Sequence, residues 1–205
     1  MTLFSFPLVK YDEIREKANK GRQVMERCRI IFSGSGGQGI ITAAIILAEA
    51  TVIYEGLNAV QSQSYGPEAR GGTCRSDVII ADTDILFPRV IQPNVLVCLT
   101  QEAYNKFSGL IRPGGLLLSD SHYVKQGKKV DARQVELDMY REVMDKIGRP
   151  IVFNICMLGV LISLTQLIKP ESIMKVLESR ISSGVLSLNK QALELGLKMV
   201  ENIDH

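Results

Sequence analysis

The sequence predicts an α/β fold: a Rossmann-like, doubly wound, mostly parallel sheet with a helical C-terminal layer. Three observations carry that reading. Short apolar, β-prone runs alternate with segments of helical periodicity as far as Asp120. One of those runs, Ile30 to Ser33, breaks into a glycine turn and resumes at once as an apolar helix. Beyond Asp131 the apolar residues return at helical spacing to the end of the sequence.

Length and charge bound the rest. A chain of 205 residues can bury one sizeable α/β core and is short for two. Its 24 Lys+Arg against 22 Asp+Glu leave a net charge of +2, without the basic excess of a nucleic-acid binder. Cys28, Cys74, Cys98 and Cys156 are scattered and form no C-x-x-C pair. That argues against a zinc or iron–sulfur site in this chain and for a reducing, cytoplasmic compartment. Residues 1–9 are apolar but lack a basic lead and contain Pro7, a poor match to a signal peptide. The run Ile151–Ile168 is interrupted by Asn154, Ser163, Thr165 and Gln166, so it reads as a buried helix and no membrane span is expected.

Residues 1–28 form an N-terminal arm, helical over 10–27, with Gly21 breaking it and Ile14, Val24 and Met25 available to pack. It can cap the sheet edge or grip a partner chain, and both uses stay open. Residues 29–205 read as a single α/β domain. Strand 29–33 leads into Gly34, Ser35, Gly36, Gly37, Gln38 and Gly39, and helix 39–54 follows. Such a junction aims several backbone N–H groups, and about half an elementary charge from the helix dipole, at one spot. Gly34, Gly36 and Gly39 fit G-x-G-x-x-G. A dinucleotide site wants an acidic residue about 20 positions further on, where Gln61, Ser62 and Gln63 stand instead. The Walker pattern fails at Ile40 and Ile41. Two uses of the turn therefore stand side by side: an anion cradle, or a bend that only permits tight helix–sheet packing. The helix itself is apolar nearly all round, which predicts burial against the sheet and against a second element or another subunit.

Strand 57–63 runs into the most unusual passage of the chain, Ser64 to Thr73. Gly66-Pro67 and Gly71-Gly72 force turns, so Tyr65, Glu68 and Arg70 are displayed on a constrained loop. Arg70 among glycine N–H groups suits a phosphate or carboxylate; the alternative is that Glu68 and Arg70 pair with each other. Strand 74–81, the polar turn Asp82-Thr83-Asp84, strand 95–99, helix 101–110, turn 112–115 and strand 116–119 complete the alternation. Crossovers between its parallel strands are expected to be right-handed. Asp120-Ser121-His122 sets a histidine beside a carboxylate at a strand end. No activated nucleophile accompanies it, so a surface histidine is expected. From Asp131 the spacing predicts helix: Val135, Met139, Val143 and Ile147 recur at i+4 and stop at Gly148-Arg149-Pro150. An apolar helix over 154–167 follows, Pro170 opens a further one at its first position, and Leu188, Ala192, Leu195 and Met199 stripe the last.

Gly34 to Gly39 before a helix, Ser64 to Gly72, Arg112 to Gly115 before a strand, Asn154 to Gly159, and Asn189 to Ala192 with Gly196 occur in one order. That order resembles the gamma subunit of the 2-oxoacid:ferredoxin (or acceptor) oxidoreductases. The resemblance covers residues 29–198 and leaves the arm unexplained. The form of Tyr65 to Thr73 looks most like the 2-oxoglutarate enzymes, with pyruvate and branched-chain types as alternatives.

The resemblance implies coenzyme A-dependent oxidative decarboxylation of a 2-oxoacid. Thiamine diphosphate and iron–sulfur clusters then sit on partner subunits, and ferredoxin or another acceptor takes the electrons. Alpha and beta subunits are the implied partners, with a ferredoxin-like delta subunit as a further candidate. This chain is expected to hold neither thiamine nor cluster, to supply no catalytic or metal-binding residue, and to complete the assembly while helping to dock coenzyme A. The motif positions carried over for that role are Gly34, Gly36, Gly37, Gln38, Gly39, Tyr65, Gly66, Pro67, Glu68, Arg70, Gly71 and Gly72, with Asn154 as a further match. Two rival readings are a free-standing NAD(P)-binding oxidoreductase and a purely structural interface subunit. The isolated chain is expected to fold, to self-associate and to be inactive.

Overall fold

The computed structural model describes residues 27–64, 73–127 and 129–201. The arm over 1–26 and the motif loop 65–72 lie outside the described residues. Six strands form one sheet: β1 (Cys28–Ser35), β2 (Asn58–Ser64), β3 (Thr73–Ala81), β4 (Val95–Cys98), β5 (Gly115–Asp120) and β6 (Ala132–Leu137), in the order β2-β3-β1-β4-β5-β6. β1, β4, β5 and β6 run parallel to one another. β3 is wedged antiparallel between β1 and β2. The sheet is therefore mixed on one side: β3 opposes both its neighbours, and β2, reached from β1 through the helix α1 (Ile40–Tyr54), points the same way as β1.

Alternation along the strands divides the core in two. Ile30, Phe32, Val78, Ile80, Val97 and Leu118 face one layer, and Ile31, Ile79, Leu96, Cys98 and Leu117 face the other. The first layer is thick, built from α1 (Ile40–Tyr54), α3 (Met139–Lys146), α4 (Phe153–Thr165), α5 (Pro170–Arg180) and α6 (Ser183–Glu201). The second is thin: α2 (Gln101–Phe107) with a following 3-10 turn, plus Val90, Ile111 and Val124 from loops. The second neighbour of the all-apolar α1 is this chain's own α5 and α4. Glu55, just past α1, ties these helices at their ends. Its buried carboxylate accepts from the backbone N–H of Lys169 and the hydroxyl of Ser172, both at 2.8 Å, and so caps the start of α5.

The helix expected from Asp131 begins only at Met139. Ala132–Leu137 is instead the edge strand β6, paired in parallel with β5 from Gly115↔Ala132 to Asp120↔Leu137. Val135 and Leu137 pack toward the thick layer and Ala132 toward the thin one, which is a period of two. On a half-exposed edge strand the outward positions are polar, so Val135, Met139 and Val143 fall at a spacing that also fits a helix. The remaining helices follow the predicted stripes, with Pro170 at the first turn of α5.

Candidate functional site

The C-terminal edge of the parallel strands gathers the chemistry. β1 ends in the glycine turn, whose shape is set by Gln38. Its Oε1 accepts from the N–H of Ser35 at 2.8 Å, and its Nε2 donates to the carbonyl of Leu99 at 3.0 Å, just past β4. One face of the amide thus staples the turn to the next strand. The four glycines do different work. A Cβ on Gly34 would sit 2.5 Å from Gln38 Oε1 and 3.2 Å from Leu99 Cβ, so a larger residue there would displace the Gln38 amide that shapes the turn. Gly39 has φ +71° and a Cβ on it would lie 2.7 Å from Asn154 Nδ2. Asn154, buried on α4, donates to the carbonyl of Gly39 at 3.3 Å. Gly36 and Gly37, by contrast, are exposed with nothing within 4 Å of a Cβ position, and Gly37 has φ +87°. They leave the backbone at the tip of the turn open to a visitor. Directly behind them the first amides of the fifteen-residue α1, which no side chain caps, point the same way.

The second motif loop starts and ends at this same edge. Ser64 closes β2 and Thr73 opens β3, and Thr73 is the register partner of Ser35 in the glycine turn. Tyr65, Gly66, Pro67, Glu68, Arg70, Gly71 and Gly72 lie outside the described residues, yet one anchor, Thr73, is fixed beside the glycine turn and the other, Ser64, pairs with Arg75 on the far side of β3. Thr73 is held by a 2.7 Å hydrogen bond from its hydroxyl to Glu102 on α2.

Further along the edge, β5 delivers Asp120, fully buried, which accepts from the N–H groups of His122 at 2.9 Å and Tyr140 at 2.8 Å. Burial pushes its carboxyl up to about 6, against the pull of those two donors. His122 is exposed, as expected, but is not isolated. Its ring stacks on Tyr140 at 4.8 Å and meets Tyr123 edge-on at 4.7 Å, and both tyrosines contact Phe153, next to Asn154. Sequence reading missed this aromatic group; its only signal was the aromatic neighbour of Asp120-Ser121-His122 and the Phe153-Asn154 pair.

Among the described residues no cluster of His, Cys, Asp or Glu is placed to hold a metal ion, and no helix is long and apolar enough to cross a membrane. All four cysteines are free; burial pushes the thiols of Cys28, Cys98 and Cys156 up to about 12, which suits packing and not metal ligation.

Residues 29–199 match the family described as pyruvate ferredoxin/flavodoxin oxidoreductase. The chain is 42% identical over 184 residues to the 2-oxoglutarate synthase subunit KorC of Methanocaldococcus jannaschii, covering 89% of this chain and 98% of that one. It is 39% identical to the solved gamma subunit of a keto/oxoacid ferredoxin oxidoreductase from Geobacter sulfurreducens, with a TM-score of 0.79 over 85% of this chain and 97% of that one. A 2-oxoglutarate:ferredoxin oxidoreductase from Magnetococcus marinus shares the fold at a TM-score of 0.79 but only 20% identity, over 87% of this chain and 32% of that one. The chain belongs to the pyruvate ferredoxin/flavodoxin oxidoreductase family, as a gamma subunit of a 2-oxoacid:ferredoxin oxidoreductase.

Proposed function

We propose that this subunit serves the coenzyme A-dependent oxidation of 2-oxoglutarate to succinyl-CoA, and that its own task is to dock coenzyme A at the C-terminal edge of the sheet. The observation that carries the docking reading is the register pair Ser35↔Thr73. It sets the glycine turn beside Thr73, the downstream anchor of the Arg70 loop, with the other anchor, Ser64, one strand further out, a geometry that suits the phosphates of an extended anion. The substrate reading draws on the 2-oxoglutarate synthase subunits among its relatives and on the form of Tyr65 to Thr73. Held in this way, the thiol acceptor is presented to chemistry on the alpha and beta subunits, which supply the thiamine diphosphate and clusters. Positioning of this kind needs no acid, base or nucleophile from this chain. It fits residues that offer N–H groups and a guanidinium but no activated side chain.

The test is steady-state kinetics on the anaerobically purified complex carrying Arg70→Ala. The KM for coenzyme A should rise on the order of tenfold, the cost of one hydrogen bond to a charged group, with the KM for 2-oxoglutarate unchanged. If assembly and coenzyme A dependence both survive intact, the docking role of that loop is wrong. Pyruvate turned over faster than 2-oxoglutarate by the same complex would reassign the substrate.

A further inference from the structure

The opposite end of the sheet carries a surface that the ligand edge does not use. There the N-terminal ends of β1, β4 and β5 meet the loop 82–94 around an open groove of about 610 Å³, lined by Arg29, Arg89, Arg112, Phe87 and Ile91 among others, with no carboxylate among the described residues of its lining. Among the described residues none of the three arginines has an ion-pair partner. Leu86, Phe87 and Ile91 are 91%, 56% and 66% exposed, an unusual run of large apolar side chains in water.

Hydrogen bonds hold the loop at several points. Arg75 grips Asp77 through two hydrogen bonds of 2.6 and 2.8 Å and also donates to the carbonyl of Val90, while the N–H of Val90 donates back to Asp77. Val90 is thereby buried, and its neighbours Arg89 and Ile91 are both held out in solvent. Asn94 exchanges hydrogen bonds with the backbone of Arg29 and accepts from Leu116, which sets the floor of the groove. Arg27 donates to the carbonyl of Asp84 and fixes the start of the loop. A pre-ordered patch of apolar anchors among desolvatable arginines has the make-up of an interface centre.

We infer that this groove is the docking face for another subunit of the same oxidoreductase, one that presents an apolar recess rimmed by carboxylates. Charge complementarity carries the choice: three guanidinium groups without a counter-ion among the described residues, grouped around apolar side chains, ask for acids on the partner. Placement agrees, since a partner seated at this end leaves the glycine turn free. The inference rests on the chain being a subunit and is independent of coenzyme A docking.

The experiment uses the co-produced complex, identified by its subunits on mass spectrometry, with the gamma chain carrying either Arg89→Glu/Arg112→Glu or Phe87→Ser/Ile91→Ser. All four side chains are at the surface or groove rim, and circular dichroism of the isolated chain checks folding. Association measured by sedimentation should weaken at least about tenfold in each double variant. The wild-type contact should also weaken with added salt. Unchanged association overturns the inference. So does a variant effect confined to self-association of the isolated gamma chain, which would make a second copy the occupant. If removal of residues 1–26 sharply raises hydrogen exchange at 86–92 in the isolated chain, the arm is the occupant and the inference again falls. In any complex that survives, an unaltered KM for coenzyme A keeps this result separate from the docking role at the other edge.

Discussion

Gly159 of α4 and Gly196 of α6 face each other at the point where the two helices cross. A Cβ on Gly159 would lie 2.5 Å from the carbonyl of Leu193 and 3.2 Å from the Cα of Gly196. Both glycines are there so that two backbones can touch. Gly159→Ala or Gly196→Ala is expected to push the helices apart and destabilise the chain by about 1–3 kcal/mol, the range of an over-packed core. Chemical denaturation with and without the change measures it; a loss of a few tenths would mean that the helices slide freely.

The glycine turn separates packing from ligand access within six residues. Gly39→Ala meets both a φ of +71° and the side chain of Asn154, so it should cost about 1–2 kcal/mol from the backbone alone. Gly36→Ala meets nothing within 4 Å and should leave the melting temperature unchanged while raising the KM for coenzyme A in the complex. Equal effects of the two changes on stability would contradict this division.

Asp120 predicts a pH dependence of definite sign. Its folded-state value of about 6 lies above the ordinary 3.8, because burial outweighs its two backbone donors. Between those two values the folded chain binds a proton that the unfolded chain has already released. The contribution of this group to stability is therefore greatest at low pH and falls as pH rises through the window, by at most about 1.4 kcal/mol per unit. Asp120→Asn should remove that slope, seen by comparing denaturation midpoints of the two proteins from pH 4 to 7. Parallel curves would show that the carboxyl titrates normally.

The thiols give a simple count. Cys28, Cys98 and Cys156 are buried with thiols pushed up to about 12, and Cys74 alone is half-buried. Iodoacetamide on the native chain should modify one cysteine, Cys74, and reach the other three only after unfolding. Mass spectrometry of the peptides reads the answer directly, and rapid native labelling at Cys98 would refute the tight packing of β4.

Glu55 predicts a capping cost. Glu55→Ala leaves the N–H of Lys169 and the hydroxyl of Ser172 without their shared acceptor. A loss of about 0.5–2 kcal/mol is expected, in the range for helix caps, with earlier exchange of amides in α5. No change would assign those donors to water.

The features legible in the sequence were those written in local chemistry. Glycines that turn the backbone after an apolar run marked the end of β1, Pro170 marked the first turn of α5, and the even apolarity of Ile40 to Ile53 marked a helix covered on several sides. What escaped depends on partners far along the chain. β6 carries a helical signature because an edge strand buries so few residues that Val135, its one buried position, falls in step with Met139 and Val143 of the following α3. The direction of β3 and the pairing of Thr73 with Ser35 are set by register across the sheet, which no local pattern encodes. Gln38 stands among the motif positions in the sequence, but its bracing of the turn through Oε1 and one N–H depends on the carbonyl of Leu99, far along the chain. The role of Gly159 and Gly196 as one contact becomes visible only when α4 and α6 are laid across each other.

The antiparallel wedge also constrains the order in which the protein can assemble. β1 and β2 never touch, although α1 links them directly. A chain emerging from the ribosome as far as Ser64 would have two strands and no ladder between them, and closure waits for residues 73–81 to thread into the gap. Amides of β1 should thus gain exchange protection together with those of β3 and not with β2 in pulse-labelled refolding.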